Sequence, residues 1–325
     1  MVLFAGGALS AVLLYLTLRK VALDDVWREV VRVSWPILGF AVLIRATNLL
    51  IASIRSRILL APLHRFGLGR LFKSVLLAFA VNNVLPLRAG ELARVGYLAR
   101  YGGVPASSCL AVVAFERLLD SLALLLLLTA SLPAIAGNVK LGGSTYVLAG
   151  AAVGAVGVAL FVSSRPGLFV SACRALASLL GRRFARFIES KAQTFSAGLA
   201  VLKSPVVIIT VMLLSLATWL LTTVSIRVWI WAFDLDLPWF APVVVLAFLS
   251  VGMAVPSTPG HIGTFHFFTM TAMTTLGVAA ATATSFAVVA HFVAVVPLTL
   301  VAVPLLLGDA LRRAPIGEPA DAPGG

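Results

Sequence analysis

The chain has 325 residues, of which 61% are hydrophobic and only 11% are charged, with a mean hydropathy of +1.07 and a formal net charge of +13. This composition excludes a water-soluble globular domain and is typical of a protein with several membrane-spanning helices. In such a protein the excess of arginine and lysine belongs on cytoplasmic loops beside anionic lipid, so it does not indicate a nucleic-acid partner. The two cysteines, Cys109 and Cys173, suggest neither a disulfide nor a metal site.

Six segments are long and apolar enough to cross a hydrocarbon core of about 30 Å, at about 1.5 Å per helical residue. They are residues 2–18, 36–55, 106–132, 145–163, 205–233 and 279–307. The first is interpreted as a retained span rather than a signal peptide, because it lacks a charged n-region and a clear cleavage site. The sequence therefore predicts an all-α polytopic membrane protein, with one membrane domain over residues 1–313 and a disordered tail over 314–325.

Two further apolar segments, 71–100 and 240–277, are interrupted by proline and glycine and do not fit as single spans. Each is predicted to form a re-entrant helical hairpin whose Pro/Gly turn lies at membrane depth. Lipid does not tolerate loose backbone or bare charge, so such a break must face protein or a water-filled cavity. Intramembrane charges at a broken helix usually mark a transport pathway.

The two interrupted segments also align with each other. Residues 75–90 and 245–260 match without a gap, which places Gly90 on Gly260 and a proline four residues before each glycine. Paired interrupted segments in the two halves of a chain indicate an inverted-repeat transporter and the location of its binding site. We therefore predict two opposed repeats, at about 36–132 and about 205–307.

Positive charge predicts the orientation of the chain in the cell membrane. Arginines and lysines cluster in three connecting segments and in the tail, and the span count places all of them on one side, which is then cytoplasmic. These clusters lie in residues 55–73, 94–100, 164–204 and 312–313. Both termini are then cytoplasmic, the first hairpin enters from the cytoplasm, and the second enters from outside. The segment between the first two spans becomes an outer loop of mixed charge.

The connection 164–204 is basic and is not predicted to form a separate domain. Apolar residues recur on one face of each of two predicted helices, at Phe169, Cys173, Leu176, Leu179 and Leu180, and at Phe184, Phe187 and Ile188. Arginines occupy the other positions. This pattern predicts basic amphipathic helices on the inner leaflet, with anionic lipids as their partners.

The first break carries the first group of candidate site residues, Asn82, Asn83, Arg88, Glu91 and Arg94. The last three are spaced by three residues and share a helical face. A half-helix that starts after the break offers unpaired N–H groups, and an arginine beside it can hold a phosphate through two hydrogen bonds. The pattern favours a phosphate site at Arg88 and Arg94, and a neutral Arg–Glu–Arg network that pins the hairpin is the alternative.

A second group lies inside the span 106–132, where Glu116 and Asp120 share a helical face and Arg117 points in another direction. Internal ion pairing is one interpretation, and it is favoured for Arg117. The arginines considered as partners for this group are Arg45, Arg88 and Arg227. The other interpretation is that Glu116 faces a cavity, where a membrane carboxylate is a plausible proton carrier.

The second break, from Pro256 to His266, holds two prolines and two glycines, and Thr264 is a candidate cap for the returning helix. The histidines His261, His266 and His291 could change charge near neutral pH. Their spacing matches no familiar zinc-ligand pattern, so no metal site is predicted. Packed, hydrogen-bonded histidines and a role in substrate or proton handling are equally supported.

Missing motifs narrow the mechanism. The sequence has no Gly-rich loop followed by Lys-Ser/Thr, so neither an ATP-driven motor nor a cofactor is predicted. Transport would then be downhill or coupled to protons. The candidate proton carriers are Glu91, Glu116, His266 and His291.

On these residues the chain resembles the lysylphosphatidylglycerol synthase transmembrane-region family, also called flippase-like domain proteins. Three family motifs recur in order: Asn82, Pro86, Arg88, Gly90, Glu91 and Arg94; then Glu116 and Arg117; then Pro256, Pro259, Gly260, Gly263, Phe265 and His266. Arg55 and Arg57 also look family-like, and many members carry Glu where His266 stands. The motifs cover nearly the whole chain, so the resemblance is specific.

The resemblance implies a membrane domain that translocates lipid. In the synthases that name the family, such a domain moves an aminoacylated phospholipid to the outer leaflet, and a separate soluble domain makes that lipid. We expect this chain to be a stand-alone, non-enzymatic relative that moves an anionic or phosphate-bearing lipid, such as a phospholipid or a polyprenyl-phosphate carrier. The residues expected at its head-group site are Asn82, Asn83, Arg88, Glu91, Arg94, Glu116, Arg117, Pro256, Gly260, His261 and His266.

Two alternatives stay open at this point. An integral-membrane transferase acting on a lipid-linked substrate would need paired carboxylates, for which Glu116 and Asp120 are the candidate pair. A structural membrane partner of a separate lipid-modifying enzyme would need neither a cavity nor Arg88.

Overall fold

The computed structural model describes residues 2–19, 23–85, 89–135, 158, 161–162, 164–178, 182–254 and 258–311, and every regular element among them is helical. The helices are α1 (Val2–Leu18), α2 (Leu23–Arg32), α3 (Trp35–Leu60), α4 (Leu68–Val84), α5 (Gly90–Gly102), α6 (Ala106–Ile135), α7 (Pro166–Ser178), α8 (Arg182–Gly198), α9 (Pro205–Ala232), α10 (Ala241–Ala254), α11 (Thr264–Thr275) and α12 (Ala280–Leu311). Two short 3₁₀ helices cover Ala200–Lys203 and Pro259–His261.

Three helices are long and apolar enough to cross a membrane, namely α3, α9 and the part of α12 from Ala280 to Leu306. Shorter apolar stretches occur in α1 and α10. These helices confirm the prediction of an all-helical membrane protein. Helix α6 coincides with the predicted span 106–132, although three charged side chains lie in its middle. The predicted span 145–163 lies almost entirely outside the described residues, and the tail 314–325 lies wholly outside them.

Each of the two interrupted segments folds into a pair of helices that pack against each other. In the first hairpin these are α4 and α5, and in the second they are α10 and α11. Helix α5 ends at a left-handed residue, Gly103, with φ of 61°, a backbone conformation that glycine adopts without strain. The second hairpin turns through two glycines with positive φ, Gly260 at 66° and Gly263 at 91°. The positions of the breaks therefore follow the proline and glycine pattern of the sequence.

The two halves of the chain repeat the same order of helices, at an offset of 170 residues before the breaks and 174 after them. Helix α3 starts at residue 35 and α9 at 205, whereas α6 starts at residue 106 and α12 at 280. Each long helix follows a serine and has a proline in its first turn. Proline is tolerated there because the backbone N–H groups of the first turn have no partner within the helix, so its missing N–H costs no hydrogen bond. Helices α3 and α9 pack along each other, and the Asn48 side chain donates to the backbone oxygen of Thr218 at 3.0 Å.

Asn48 and Thr218 occupy equivalent positions in the two halves. Their contact therefore joins the two halves of the chain at the same position of each long helix.

The segment between the first two spans, expected to be an outer loop, contains the helix α2, which the sequence analysis did not predict. Asp24 and Asp25 lie in its first turn and Arg32 in its last, an order that suits the helix dipole. Val26 is buried, and its backbone oxygen accepts a hydrogen bond of 3.1 Å from Ser285 on α12. Helix α2 is short and rich in charged residues, so its apolar face, which packs on α12, was not recognised in the sequence.

The basic connection forms the predicted pair of helices, α7 and α8, which pack on each other. Part of their apolar surface contacts protein: the rings of Phe169 and Phe195 lie 6.1 Å apart, and α8 packs along α6. Leu176 and Phe187 are exposed, as expected for residues that face lipid. Leu179 and Leu180 lie outside the described residues.

Candidate functional site

The tip of the first hairpin, between α4 and α5, is stabilised by a contact that requires glycine. The backbone N–H of Gly90 donates to the side-chain oxygen of Asn82 at 2.8 Å, which satisfies one free donor at the start of α5. A Cβ atom on Gly90 would lie 2.0 Å from the backbone oxygen of Ala78, so no other residue fits there. Pro86 and Arg88 lie outside the described residues, and the predicted role of Arg88 stays a prediction.

The tip of the second hairpin, from Thr258 to Gly263, is connected to two neighbouring helices. His291 of α12 lies with its Nε2 atom 2.7 Å from the backbone oxygen of Gly260. The N–H of Thr258 donates to the Ser10 side chain of α1 at 3.1 Å. A Cβ atom on Gly263 would lie 2.3 Å from the Ser10 backbone oxygen, so α1 packs directly on the turn. Pro256 lies outside the described residues.

The two hairpin tips meet each other beside α12. A Cβ atom on Gly260 would lie 3.3 Å from the backbone oxygen of Asn83, so the two turns are in close contact. The side chain of Asn83 also donates to the hydroxyl of Thr299 on α12 at 2.8 Å. Thus α12 binds the first tip through Thr299 and the second through His291, and the breaks of both halves come together at one place.

A buried ion pair joins α5 to α6. Arg94 donates to Glu116 at 2.7 Å, and both side chains are almost fully buried. Ser56 of α3 completes the group, since its hydroxyl donates to Glu116 at 2.6 Å and accepts from Arg94 at 2.5 Å. Arg94 was predicted to hold a lipid phosphate, but here its guanidinium is occupied by protein oxygens. The pair links three helices without a net charge.

A second ion pair lies one helical turn further along α6. Arg55 of α3 binds Asp120 and also donates to the Ser215 hydroxyl of α9 at 2.6 Å. Arg117 lies 3.1 Å from Asp120 and 3.6 Å from Glu91 of α5, and 46% of its side chain is exposed. Among the described residues, Arg117 and Glu91 are therefore the accessible end of this group.

These six side chains, Arg55, Glu91, Arg94, Glu116, Arg117 and Asp120, are called the charged network below. It holds three cations and three carboxylates, so it is formally neutral. Pairing had been considered with Arg45 or Arg227, and neither belongs to the network. Arg227 donates to the backbone oxygens of Leu237 and Pro238 at 3.0 and 2.8 Å.

Arg55, Ser56 and Asp120 were not among the expected head-group residues. Arg55 and Arg94 had been counted with the cytoplasmic charges, but both are buried. The available signal was Asp120, which lies inside the predicted span 106–132, where a charge requires a partner. What the sequence could not give was which of several arginines lies opposite it.

The histidines of the second half form a packed pair. The rings of His266 and His291 lie 4.7 Å apart, and Phe265 packs against the His291 ring at 4.9 Å. The backbone N–H of Gly263 donates to the Nδ1 atom of His266 at 3.4 Å, and this hydrogen bond caps the start of α11. In the described part of the chain, no group of three histidine, cysteine or acidic side chains could hold a metal ion.

A comparison with protein-family profiles matches residues 3–302 to the family described as the lysylphosphatidylglycerol synthase TM region. None of the curated proteins compared with the sequence matches it. The family match spans both hairpins, the charged network and the helices α3, α6, α9 and α12. The chain therefore belongs to the lysylphosphatidylglycerol synthase TM region family.

Proposed function

We propose that this protein moves a phosphate-bearing lipid between the two leaflets of the cell membrane. The observation that carries the proposal is the meeting of the two hairpin tips beside α12, where Asn83 and Gly260 touch. Interrupted helices that meet at membrane depth form the binding sites of inverted-repeat transporters. A family named for the membrane region of a lipid synthase is consistent with a lipid substrate.

In the proposed cycle the hairpins are re-entrant and enter the membrane from opposite sides, with both termini cytoplasmic. The lipid head group would pass between the tips while its apolar chains stay in the bilayer. Opening one tip contact at a time would expose the site to one leaflet and then to the other. The tips suit this task because side-chain hydrogen bonds at Asn83 and His291 hold them, rather than a large apolar interface.

The charged network gives the cycle a rigid part. Arg94 and Glu116 fix α5 to α6, and Arg55 and Asp120 fix α3 to α6. Breaking either pair would leave an uncompensated buried charge, so these helices should move as one body. Among the candidate proton carriers, Glu91 is the better placed carboxylate, because Glu116 is enclosed by its partners whereas 23% of the Glu91 side chain is exposed.

The transferase alternative has less support. Its two candidate carboxylates, Glu116 and Asp120, are each bound by an arginine, whereas a general acid or base must exchange protons with a substrate. No observation favours the alternative of a purely structural partner.

The experiment that tests the proposal is a leaflet-exchange assay in reconstituted vesicles, combined with crosslinking of the first tip to α12. In a background with both cysteines replaced, the variant Asn83→Cys with Thr299→Cys is joined by a short, reducible thiol crosslinker. We expect phospholipid exchange above that of empty vesicles before crosslinking, at least tenfold slower exchange after it, and recovery on reduction.

The matched control is Ser107→Cys with Thr194→Cys, which joins α6 to α8 at a contact between two hydroxyls far from the tips. Its crosslinking should leave exchange unchanged, because the proposed cycle does not separate these helices. No exchange above empty vesicles by the unmodified protein would refute the proposed function. Full exchange by the crosslinked tip variant would refute the role of tip opening.

A further inference from the structure

Arg45 differs from the other arginines of the apolar helices. It lies ten residues after the start of α3, which corresponds to about 15 Å along the helix axis. Its guanidinium carbon is 5.3 Å from the centre of the Phe79 ring on α4. Its Nε atom is buried and has no hydrogen-bond partner.

Four other arginines of the helices have oxygen partners for their terminal amino groups, although the Nε atoms of Arg55 and Arg94 are also buried without a partner. Arg55, Arg94 and Arg117 bind carboxylates, and Arg227 binds two backbone oxygens. Within the described residues, Arg45 makes neither an ion pair nor a hydrogen bond. Its recorded partner is an aromatic ring.

An aromatic face compensates such a cation only in part. A cation–π contact is worth about 0.5–2 kcal/mol, whereas a charge at the centre of a membrane costs on the order of 3 kcal/mol or more. The ring also leaves the buried Nε–H donor of the guanidinium without an acceptor. A permanent anionic partner would remove this cost, so its absence among the described residues points to an anion that comes and goes.

Arg45 is close to the place where the hairpin tips meet. Phe79 lies one helical turn before Asn83, which contacts both Gly260 and Thr299. Helices α3 and α4 pack antiparallel. Arg45 therefore lies nearer to the hairpin tips than the apolar cluster that contains Leu49 and Leu76. A group that passes between the tips would come within reach of its side chain.

We propose that Arg45, stacked on Phe79, binds the phosphate of the transported lipid, an inference that rests on the proposed function. The planar guanidinium can give two parallel N–H donors to two phosphate oxygens, and the ring beneath it holds the plane in one orientation. Arg45 thereby takes the phosphate role that the sequence suggested for Arg94, whose two terminal amino groups already bind Glu116 and Ser56. The lipid phosphate is then the missing counter-charge, present only while substrate is bound.

The first arm of the test measures lipid movement. In reconstituted vesicles, Arg45→Gln should slow exchange of a phospholipid at least tenfold. Arg45→Lys should slow it by a smaller factor, since lysine keeps the charge but loses the fork. The matched control Arg227→Gln removes the same charge from a side chain bound to the loop after α9, and should exchange phospholipid at the wild-type rate. Wild-type exchange by Arg45→Gln would overturn the inference and leave the proposed function intact.

The second arm measures binding without transport. A short-chain phosphatidate should raise the melting temperature of the detergent-solubilised wild-type protein and should not raise that of Arg45→Gln. Without added lipid, Arg45→Gln should melt no lower than wild type, because it removes a half-buried cation that has no anionic partner among the described residues. A lower melting temperature, or an equal rise with phosphatidate, would overturn the inference.

The same arm distinguishes a lipid phosphate from inorganic phosphate, and it distinguishes failure of the Arg45 site from failure of the proposed function. Inorganic phosphate at the same concentration should have no effect, and a rise with it alone would overturn the assignment to a lipid. If the wild-type protein moves no lipid but phosphatidate still stabilises it through Arg45, the proposed function fails while the phosphate site stands.

Discussion

The two halves of the molecule bury equivalent positions with opposite chemistry. Helices α6 and α12 start 174 residues apart, so Glu116 of the first half corresponds to Ala290 of the second. Both side chains are buried. Ala290 belongs to an apolar cluster, whereas Glu116 is bound to Arg94 in an ion pair. The arrangement of helices is thus compatible with either filling.

A similar contrast holds at the neighbouring ion pair. Arg55 corresponds to Ser225 at the 170-residue offset of α3 and α9, and both side chains are buried. Replacing a buried ion pair by apolar groups of similar volume is often neutral or stabilising, so charge is not the cheaper way to fill such a position. We therefore expect the charged network to meet a demand on the first half beyond folding.

The largest expected effect comes from breaking the ion pair on one side only. Arg94→Met should lower the free energy of unfolding by about 3–5 kcal/mol, because it leaves Glu116 buried without its counter-charge. The double variant Arg94→Met with Glu116→Leu replaces both charges by apolar side chains and should recover most of this loss. The measurement is unfolding of the purified protein in mixed micelles with increasing SDS.

An exposed ion pair supplies the control. Glu189→Gln breaks the contact of 3.4 Å between Arg174 and Glu189 on the surface of α7 and α8, and should change stability by less than about 1 kcal/mol. If the double variant is as unstable as Arg94→Met alone, the first half needs its charges to fold, and the comparison with the second half fails.

The equivalent glycines of the two tips should respond to the same substitution by different amounts. Gly90→Ala places a Cβ 2.0 Å from the Ala78 backbone oxygen and must push α4 and α5 apart, at a cost of about 1–3 kcal/mol or more. Gly260→Ala costs about 1–2 kcal/mol from its positive φ, and its new Cβ at 3.3 Å from Asn83 needs only a small shift.

The same SDS titration checks this order, with Gly96→Ala as the control because a Cβ there meets no atom within 4 Å. Equal losses for the two tip variants would show that the tips are packed equally tightly, contrary to the distances given above.

The smallest expected effect lies at the interface between the halves. Asn48→Ala removes the bonds to Thr218 and Thr222 across α3 and α9, and should lower stability by about 0.6–2 kcal/mol. Thr47→Ala is the neighbouring control, since its exposed hydroxyl bonds only to its own helix. An Asn48 variant no weaker than the Thr47 variant would mean that this contact does not help to join the repeats.

The positions of the helix breaks could be predicted because they depend on local chemistry. Proline and glycine interrupt a helix wherever they occur, so Gly90 and Gly260 located the turns between α4 and α5 and between α10 and α11. The family followed from motifs that lie in order along the chain.

The pairing of charges could not be predicted, because it depends on which helices are neighbours. Sequence spacing showed that Glu116 and Asp120 share a face, but not that Arg94 and Arg55 lie opposite them. Arg45 looked equally suitable as a partner, and only the packing of α3 on α4 places it on Phe79 instead.

Helix α1 belongs to neither repeat, yet it packs on the second hairpin through Ser10, which bonds to Thr258 and lies against Gly263. In the proposed cycle each hairpin tip acts as a gate, and two equivalent gates would open at equal rates. The contact with α1 holds the second tip, so the two rates should differ. The gate held by α1 is then the slower one to open, and it slows lipid movement equally in both directions. A single helix outside the repeat would then set the slowest step of the cycle, without any change to the site itself.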